Sequence, residues 1–584
     1  MGGWGRWWIA AILALAWIIP EPAGAQQPPI VIDPDAVIAD SLRVAPPPPE
    51  VVARLIAVFN DTGTVQFIGG LTLPRGAALR GRVAVYRGVL LVHGRLTGPV
   101  FVINGDLHVG PEGAIDGDVV VTGGRIRIDP GGGITGTQST WTEPAPVYRT
   151  PAGRLAPREE RRLLGDLGQV SRSIYAGDAS ATLVLGTGSS YNRVEGMPIT
   201  AGPSLGARIL PGLDLRADAR AIIRTTTDPT GIRARVGHDT RLELVFGVPA
   251  RAVLGARLRS EVVPVERQPW SNAEAGWLTA LWHEDSRDWY QARGTEIYGE
   301  AEPFRGVTLI AGVRREQEQS VLATDPLSLF RSNDPWRPNP LVDDGTYSAG
   351  RLRATLDTRN DREAPSSGWL VSGEYEVATS TDVAPVTLPR AVREPLPTEE
   401  RYSYGRIWFD ARRYARFGPD TRVNLRVQGG GWLHGDPLPV QRRVSVGGGD
   451  LLPGYRFRDR NCNPAGFADP ARPALCDRAL SLHAEVRRRV NLNLLYRLGR
   501  DELTHLDRFI GLDRADLVVF LNSGHAWLAG EGPGRVPNSR IPVIGEWATD
   551  LGAGLDTGGF AVYLARSLVD REPVRVTLRL QRRF

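Results

Sequence analysis

The chain has 584 residues, 42% hydrophobic but only 7% aromatic, and beyond its N-terminal segment it holds no run of 18 uncharged apolar residues, which excludes a bundle of membrane-spanning helices. Gly (67) and Pro (45) are abundant and helix-period stretches are scarce, so all-β structure with many turns is expected. The formal net charge is +5, all 70 basic residues are arginine, and they interleave with 65 acidic ones, which leaves no basic patch for a nucleic-acid partner.

Residues 1–25 read as a secretory signal peptide: Arg6 is the basic start, Trp7 to Ile19 the short apolar core, and Ala23-Gly24-Ala25 the cleavage site before Gln26. Residues 26–53 read as a Pro-rich linker, with Pro46 to Pro49 as an extended run. Residues 54–140 carry a repeat. Pro111-Glu-Gly-Ala-Ile-Asp-Gly117 recurs 19 residues on as Pro130-Gly-Gly-Gly-Ile-Thr-Gly136, and Pro74 to Gly81 is a looser copy. Short β runs such as Val83 to Tyr86, Val100 to Ile103 and Val119 to Val121 lie between the copies, so the segment reads as rungs of a β-solenoid. The pattern resembles the bactofilin (polymer-forming cytoskeletal) β-helix, and the resemblance implies self-association. Residues 141–174 form a connecting segment, with a short helix expected over Pro157 to Val170.

From residue 175 to 584, apolar and charged residues alternate, as in Leu213 to Ala221, Arg241 to Phe246 and Arg422 to Val427. Alternation alone fits a soluble sandwich or a membrane barrel. At the end of the sequence Val574, Val576, Leu578, Leu580 and Phe584 share one parity, and such a final amphipathic strand ending in Phe is the pattern of an outer-membrane barrel. With a signal peptide ahead of it, the expected fold is an all-β transmembrane antiparallel barrel of about 16 strands preceded by a periplasmic solenoid.

Several segments in order resemble the BamA/TamA (bacterial surface antigen) superfamily. They are Tyr191 to Gly196 as an opening strand, Asp357-Thr-Arg-Asn360 with Pro365-Ser-Ser-Gly-Trp369 as a hairpin, Arg443 to Gly449 leading into Leu452-Pro453-Gly454-Tyr455, Leu517 to Gly524, and Leu551 to Leu555 with Phe584 as the last strands. The resemblance implies a loop folded back inside the barrel with Leu452 to Tyr455 at its tip. It also implies a role in outer-membrane assembly or transport, with outer-membrane lipid and protein clients as partners. The sequence departs from the family in three places. Pro453 stands where the family has a tip arginine, Asn522 stands where it has the acidic wall partner, and no POTRA-type module precedes the barrel. A shifted latch pair, Arg456 or Arg458 with Glu485, is the expected replacement. Cys462 and Cys476, the only cysteines, are expected to form a loop disulfide.

No enzymatic chemistry is expected. Gly447 to Gly449 lacks the lysine and helix of a phosphate loop, His283-Glu284-Asp285 lacks a partner histidine at metal spacing, and no nucleophile elbow or convergent carboxylate pair occurs. Asp288-Trp289-Tyr290 reads as a strand with an interface anchor. No cofactor is expected. The alternative function is a structural envelope anchor whose solenoid self-associates or binds periplasmic components.

Overall fold

The computed structural model describes residues 42–43, 47, 49–141, 145, 147–149, 154–157, 583 and 170–580, the last interrupted at 177–178, 188–189, 211–212, 227–235, 247–251, 267–269, 305, 360–364, 389–391, 393–400, 418–419, 450, 465–468, 491–514, 559 and 571. The expected signal peptide, most of the expected connecting helix, and Phe584 lie outside the described residues. Two units are resolved, one built around the repeat and one around the alternating region.

In the first unit three parallel sheets wind into a β-solenoid. One face stacks Thr64–Ile68, Arg82–Tyr86, Val100–Ile103, Val119–Thr122 and Gln138–Trp141. The coil period is 18, then 17, then 19 residues, since Thr64 pairs with Arg82, Val83 with Val100, and Val100 with Val119. Val83, Val85, Leu90, Val92, Leu107 and Val109 fill the interior without exposure. A column of glycines lets successive coils touch: a Cβ on Gly88 would meet the Gly69–Gly70 backbone at 2.3 Å, and one on Gly105 the Gly88 carbonyl oxygen at 1.9 Å. Gly105→Val is therefore expected to abolish coil stacking, read as lost amide-exchange protection over 64–140, whereas Gly133→Ala, with open space around its Cβ, leaves protection unchanged.

Helix α1 (Pro49–Asn60) was not anticipated from the sequence. The proline run hid it, yet Val52, Leu55 and Phe59 lie on one face and bury against Ala84, Tyr86, Phe101 and Ile103, the outward residues of the sheet whose inward residues form the solenoid core.

In the second unit one antiparallel sheet takes every long strand. Its strands are β1 (Val170–Ala176), β2 (Ala179–Thr187), β3 (Ile199–Leu210), β4 (Leu213–Ile223), β5 (Val236–Phe246) and β6 (Ala252–Pro264). They continue as β7 (Trp289–Phe304), β8 (Val307–Ser320), β9 (Asp344–Asp357), β10 (Gly368–Ala384), β11 (Ser403–Arg416) and β12 (Thr421–Gly435). The last are β13 (Arg478–Val490), β14 (Ala515–Trp527), β15 (Ala548–Asp556), β16 (Ala561–Ser567) and β17 (Arg575–Arg579). The sequence pointed to about sixteen strands, and β2–β17 supply that number; β1 adds a seven-residue pairing on the free edge of β2. Among the described residues no ladder joins β1 to β17.

Exposure settles what alternation left open. The exposed parity is the apolar one, as at Leu183, Leu205, Leu242, Leu254, Ile297, Val313, Leu352 and Val576, while the charged parity is buried, as at Arg259, Glu316, Glu376 and Arg487. A soluble sandwich buries the opposite set, so this is a barrel with an apolar outside. At one end, the hairpin end, consecutive strands follow closely, two residues apart between β3 and β4 and between β7 and β8; at the other, 265–288, 321–343, 385–402 and 436–477 separate them. Exposed aromatic residues lie toward both ends: Phe246, Phe304, Trp369, Phe417 and Phe560 at the hairpin end, Trp282 and Phe330 in the long connections of the other.

Candidate functional site: the loop inside the barrel

The 436–477 connection does not stand out from the loop end. It folds against inward-facing residues of strands from distant parts of the sheet, and arginines fix it there. Gln441 and Arg442 anchor its root. The Arg442 guanidinium donates to Glu318 on β8 and to the Tyr290 hydroxyl on β7 (3.2 Å), and pairs with Glu376 on β10 (3.4 Å). Gln441 donates to Glu318 (2.9 Å). Arg443 staples the two stems of the loop together, donating to the Leu438 (3.0 Å) and Leu475 (2.8 Å) carbonyls and pairing with Asp477 (3.2 Å).

Further along, Arg458 pairs with Asp288 and with Glu266 (3.3 Å). Asp288 also receives Arg337 (2.6 Å) and Arg193 (3.4 Å), so one carboxylate serves three guanidinium groups. Burial opposes ionisation of Asp288, but the three arginines outweigh it and hold its carboxyl below the ordinary value. Glu266 goes the other way, because burial raises its carboxyl and Arg458 only partly offsets this.

The tip, Leu452-Pro453-Gly454-Tyr455, seats on β15 and β16. Leu452 and Tyr455 are fully buried. The Gly454 amide donates to Asp550 (2.7 Å), and the Tyr455 hydroxyl donates to the Thr549 carbonyl (3.2 Å) while receiving the Ser567 hydroxyl (2.8 Å). Gly454 is required at this point of close approach, since a Cβ there would lie 2.7 Å from the Asp550 Cβ and 2.9 Å from the Arg566 carbonyl carbon. Cys462 and Cys476 form a disulfide with Cα atoms 5.1 Å apart, closing the segment that follows the tip.

The expected latch is not formed. Glu485 is buried on the inward face of β13 and contacts neither Arg456 nor Arg458. It is engaged by Arg487 (2.5 Å) and Asn424 (2.7 Å) instead. Arg456 is exposed, 4.0 Å from Glu572. Arg458 is a latch residue, but toward Asp288 and Glu266. The loss of acid at Asn522 is made good one strand over: Asn522 pairs in register with Asp550 and donates to it (2.6 Å).

Other expectations are also corrected. Tyr191 to Gly196 is not a strand: residues 192–196 form a tight turn. In it the Arg193 backbone N–H donates to the Asp285 carboxylate (3.0 Å), while the Arg193 guanidinium donates to the Asp285 carbonyl (2.9 Å) and to Asn339 (3.1 Å). Trp289 is no interface anchor; it is buried and its indole N–H donates to Asp285 (2.9 Å). Asp357 to Trp369 is the expected hairpin, with the Thr358 amide donating to the Trp369 carbonyl (2.8 Å). Helix α2 (Asn272–Trp282), unanticipated although Ser271 and Glu274 form a capping box, docks on β17: Glu274 accepts from Arg579 (2.7 Å) and from the Leu580 amide (2.8 Å).

No protein-family model matches the sequence, and no curated protein does. Among solved structures the chain is similar to BamA from Haemophilus ducreyi lacking POTRA domains 1–3, at 9% identity and TM-score 0.40, over 71% of this chain and 75% of that one. It is also similar to CdiB from Acinetobacter baumannii (9% identity, TM-score 0.29, 70% of this chain and 65% of that one). CdiB from Escherichia coli gives 10% identity and TM-score 0.30 over 75% and 68%.

Proposed function

We propose that this chain is a non-enzymatic outer-membrane β-barrel acting in outer-membrane assembly or transport, with its lumen closed at rest by the inward loop. The observation that carries it is the loop held by Arg442 on β7, β8 and β10 and by Arg458 on the connection before β7, with its tip seated on β15 and β16, inside a wall whose outer face is apolar. An apolar exterior with exposed aromatic residues toward both ends matches the lipid-facing band of a membrane barrel. Hairpins at the periplasmic end and long loops outside the cell follow from that pattern. The signal peptide and a periplasmic solenoid belong to the same proposal, as do outer-membrane lipid and protein clients as partners.

The test is fractionation followed by gel mobility of unboiled and boiled samples. A heat-modifiable band in the outer-membrane fraction is the expected result. A soluble product without a shift removes the proposal.

A second reading, an envelope anchor that self-associates, is favoured by one feature. Thr64–Ile68, Leu71–Leu73 and Ala78–Arg80 each form an open edge of their sheet, and open parallel edges template further pairing. Concentration-dependent growth of the purified full chain, lost when Gln66 in that edge is replaced by proline, would support it.

A further inference from the structure

Most inward arginines of the barrel have a carboxylate partner, whereas the outward Arg293, Arg315, Arg413, Arg488 and Arg566 have none among the described residues, and of these only Arg293 and Arg315 are neighbours on adjacent strands. Arg293 on β7 and Arg315 on β8 are exposed, and among the described residues neither has an ion pair or hydrogen bond. The register sets Arg293 opposite Gln317 and Thr295 opposite Arg315, so the two arginines are diagonal neighbours, about 7–8 Å apart at Cα. Their flanking residues on the same face are Ser260 and Ser348, both neutral. Two adjacent like charges on an apolar wall call for an external anion.

A second observation adjoins the first. A groove of about 430 Å³ opens on the outer face beside Ile297 and Val313, the next apolar residues toward the hairpin end. It exists because Gly299, Ala311 and Gly350 present little or no side chain between Leu254 and Leu352, and a Cβ on Gly299 or Gly350 would meet nothing closer than 3.6 Å. Eleven residues separate Arg293 from Phe304 at the hairpin end, which on a tilted strand is roughly 25–30 Å, the thickness of a bilayer's apolar core. The arginine pair thus lies at headgroup level and the groove at acyl-chain level.

We propose that Arg293, Arg315 and the adjoining groove form a binding site for a phosphate-bearing lipid of the loop-side leaflet, its phosphate between the guanidinium groups and one acyl chain over Gly350. The inference rests on the membrane-spanning reading given above.

The test uses the full chain purified in detergent, with bound lipid counted by native mass spectrometry. The probes are phosphatidic acid, diacylglycerol with the same chains, and inorganic phosphate. Arg293→Gln with Arg315→Gln is expected to lower phosphatidic acid binding about 25-fold, at about fivefold per arginine. Gly350→Leu is expected to lower it by filling the groove, while Arg413→Gln, an outward arginine at the hairpin end, leaves it unchanged. Diacylglycerol and millimolar phosphate should not displace the lipid. Equal binding by wild type and double variant overturns the site. So does full displacement by phosphate with no effect of Gly350→Leu, which would mean an anion site only. A heat-modifiable outer-membrane band for every variant keeps the two claims separate: its absence in wild type removes the membrane reading, whereas its presence with flat lipid binding removes only this site.

Discussion

Asp288→Asn is expected to unseat the inward loop. Its carboxylate is shared by Arg458, Arg337 and Arg193, and Arg193 and Arg458 are almost wholly buried. Removing one partner of a buried ion pair costs about 3–5 kcal/mol, because the opposite charge stays buried. Trypsin reads the outcome, since Arg456, Arg458, Arg460 and Arg472 lie in the loop. After reduction of the disulfide, cleavage there should rise about a hundredfold or more for that cost. Glu266→Gln should raise it less than tenfold, because burial already favours the protonated form of Glu266.

The pH dependence follows the two signs. Asp288 is depressed, so its contribution is present above the ordinary aspartate range near 3.9 and is lost as pH falls through its lowered value. Glu266 is raised, so its contribution is present below its ordinary value and is lost as pH rises through the raised one. Protection should therefore fail at acid pH in wild type. Asp288→Asn should already be unprotected at neutrality, and equal protection of that variant would count against the shared-carboxylate seat.

Gly454→Val is the second large effect. Any Cβ at this position collides with Asp550 and with the Arg566–Ser567 backbone, which leaves no room for relaxation inside the wall. Overpacking costs about 1–3 kcal/mol, and loss of the Gly454 hydrogen bond to Asp550, which keeps its bond from Asn522, costs about 1 kcal/mol more. The tip should lift, carrying Leu452 and Tyr455 out. Amide exchange over 451–458 should accelerate at least tenfold, with Gly373→Ala, which has open space around its Cβ, as the silent control. Unchanged exchange in Gly454→Val would mean that the tip is not held by this contact.

The barrel and the solenoid were legible because their signals are local. Period-two alternation and a glycine-punctuated repeat are written in adjacent residues, and in β17 the expected apolar parity is the exposed one, at Val576 and Leu578. The loop and its tip were legible through a family resemblance, and the disulfide through compartment and count. The latch partners were not legible. Arg458 and Asp288 are 170 residues apart, and which inward carboxylate faces which arginine depends on how the sheet curls, not on any short pattern. Arg442 and Arg443 did carry a signal, a polar Gln-Arg-Arg run ahead of an apolar, Gly-rich stretch. Asp550 carried one as well, an inward acid just before Leu551 to Leu555. Helix α1 was masked by the prolines preceding it, and helix α2 by its place inside a strand-rich region.

On the reading proposed above, an arginine-latched loop closes the barrel. Planar-bilayer conductance of the full chain tests it most directly, comparing wild type with Arg442→Gln plus Arg458→Gln, both shown to give a heat-modifiable band. Small, infrequent openings are expected for wild type and large, sustained conductance for the double variant. Wild-type conductance as large as that of the double variant would contradict it.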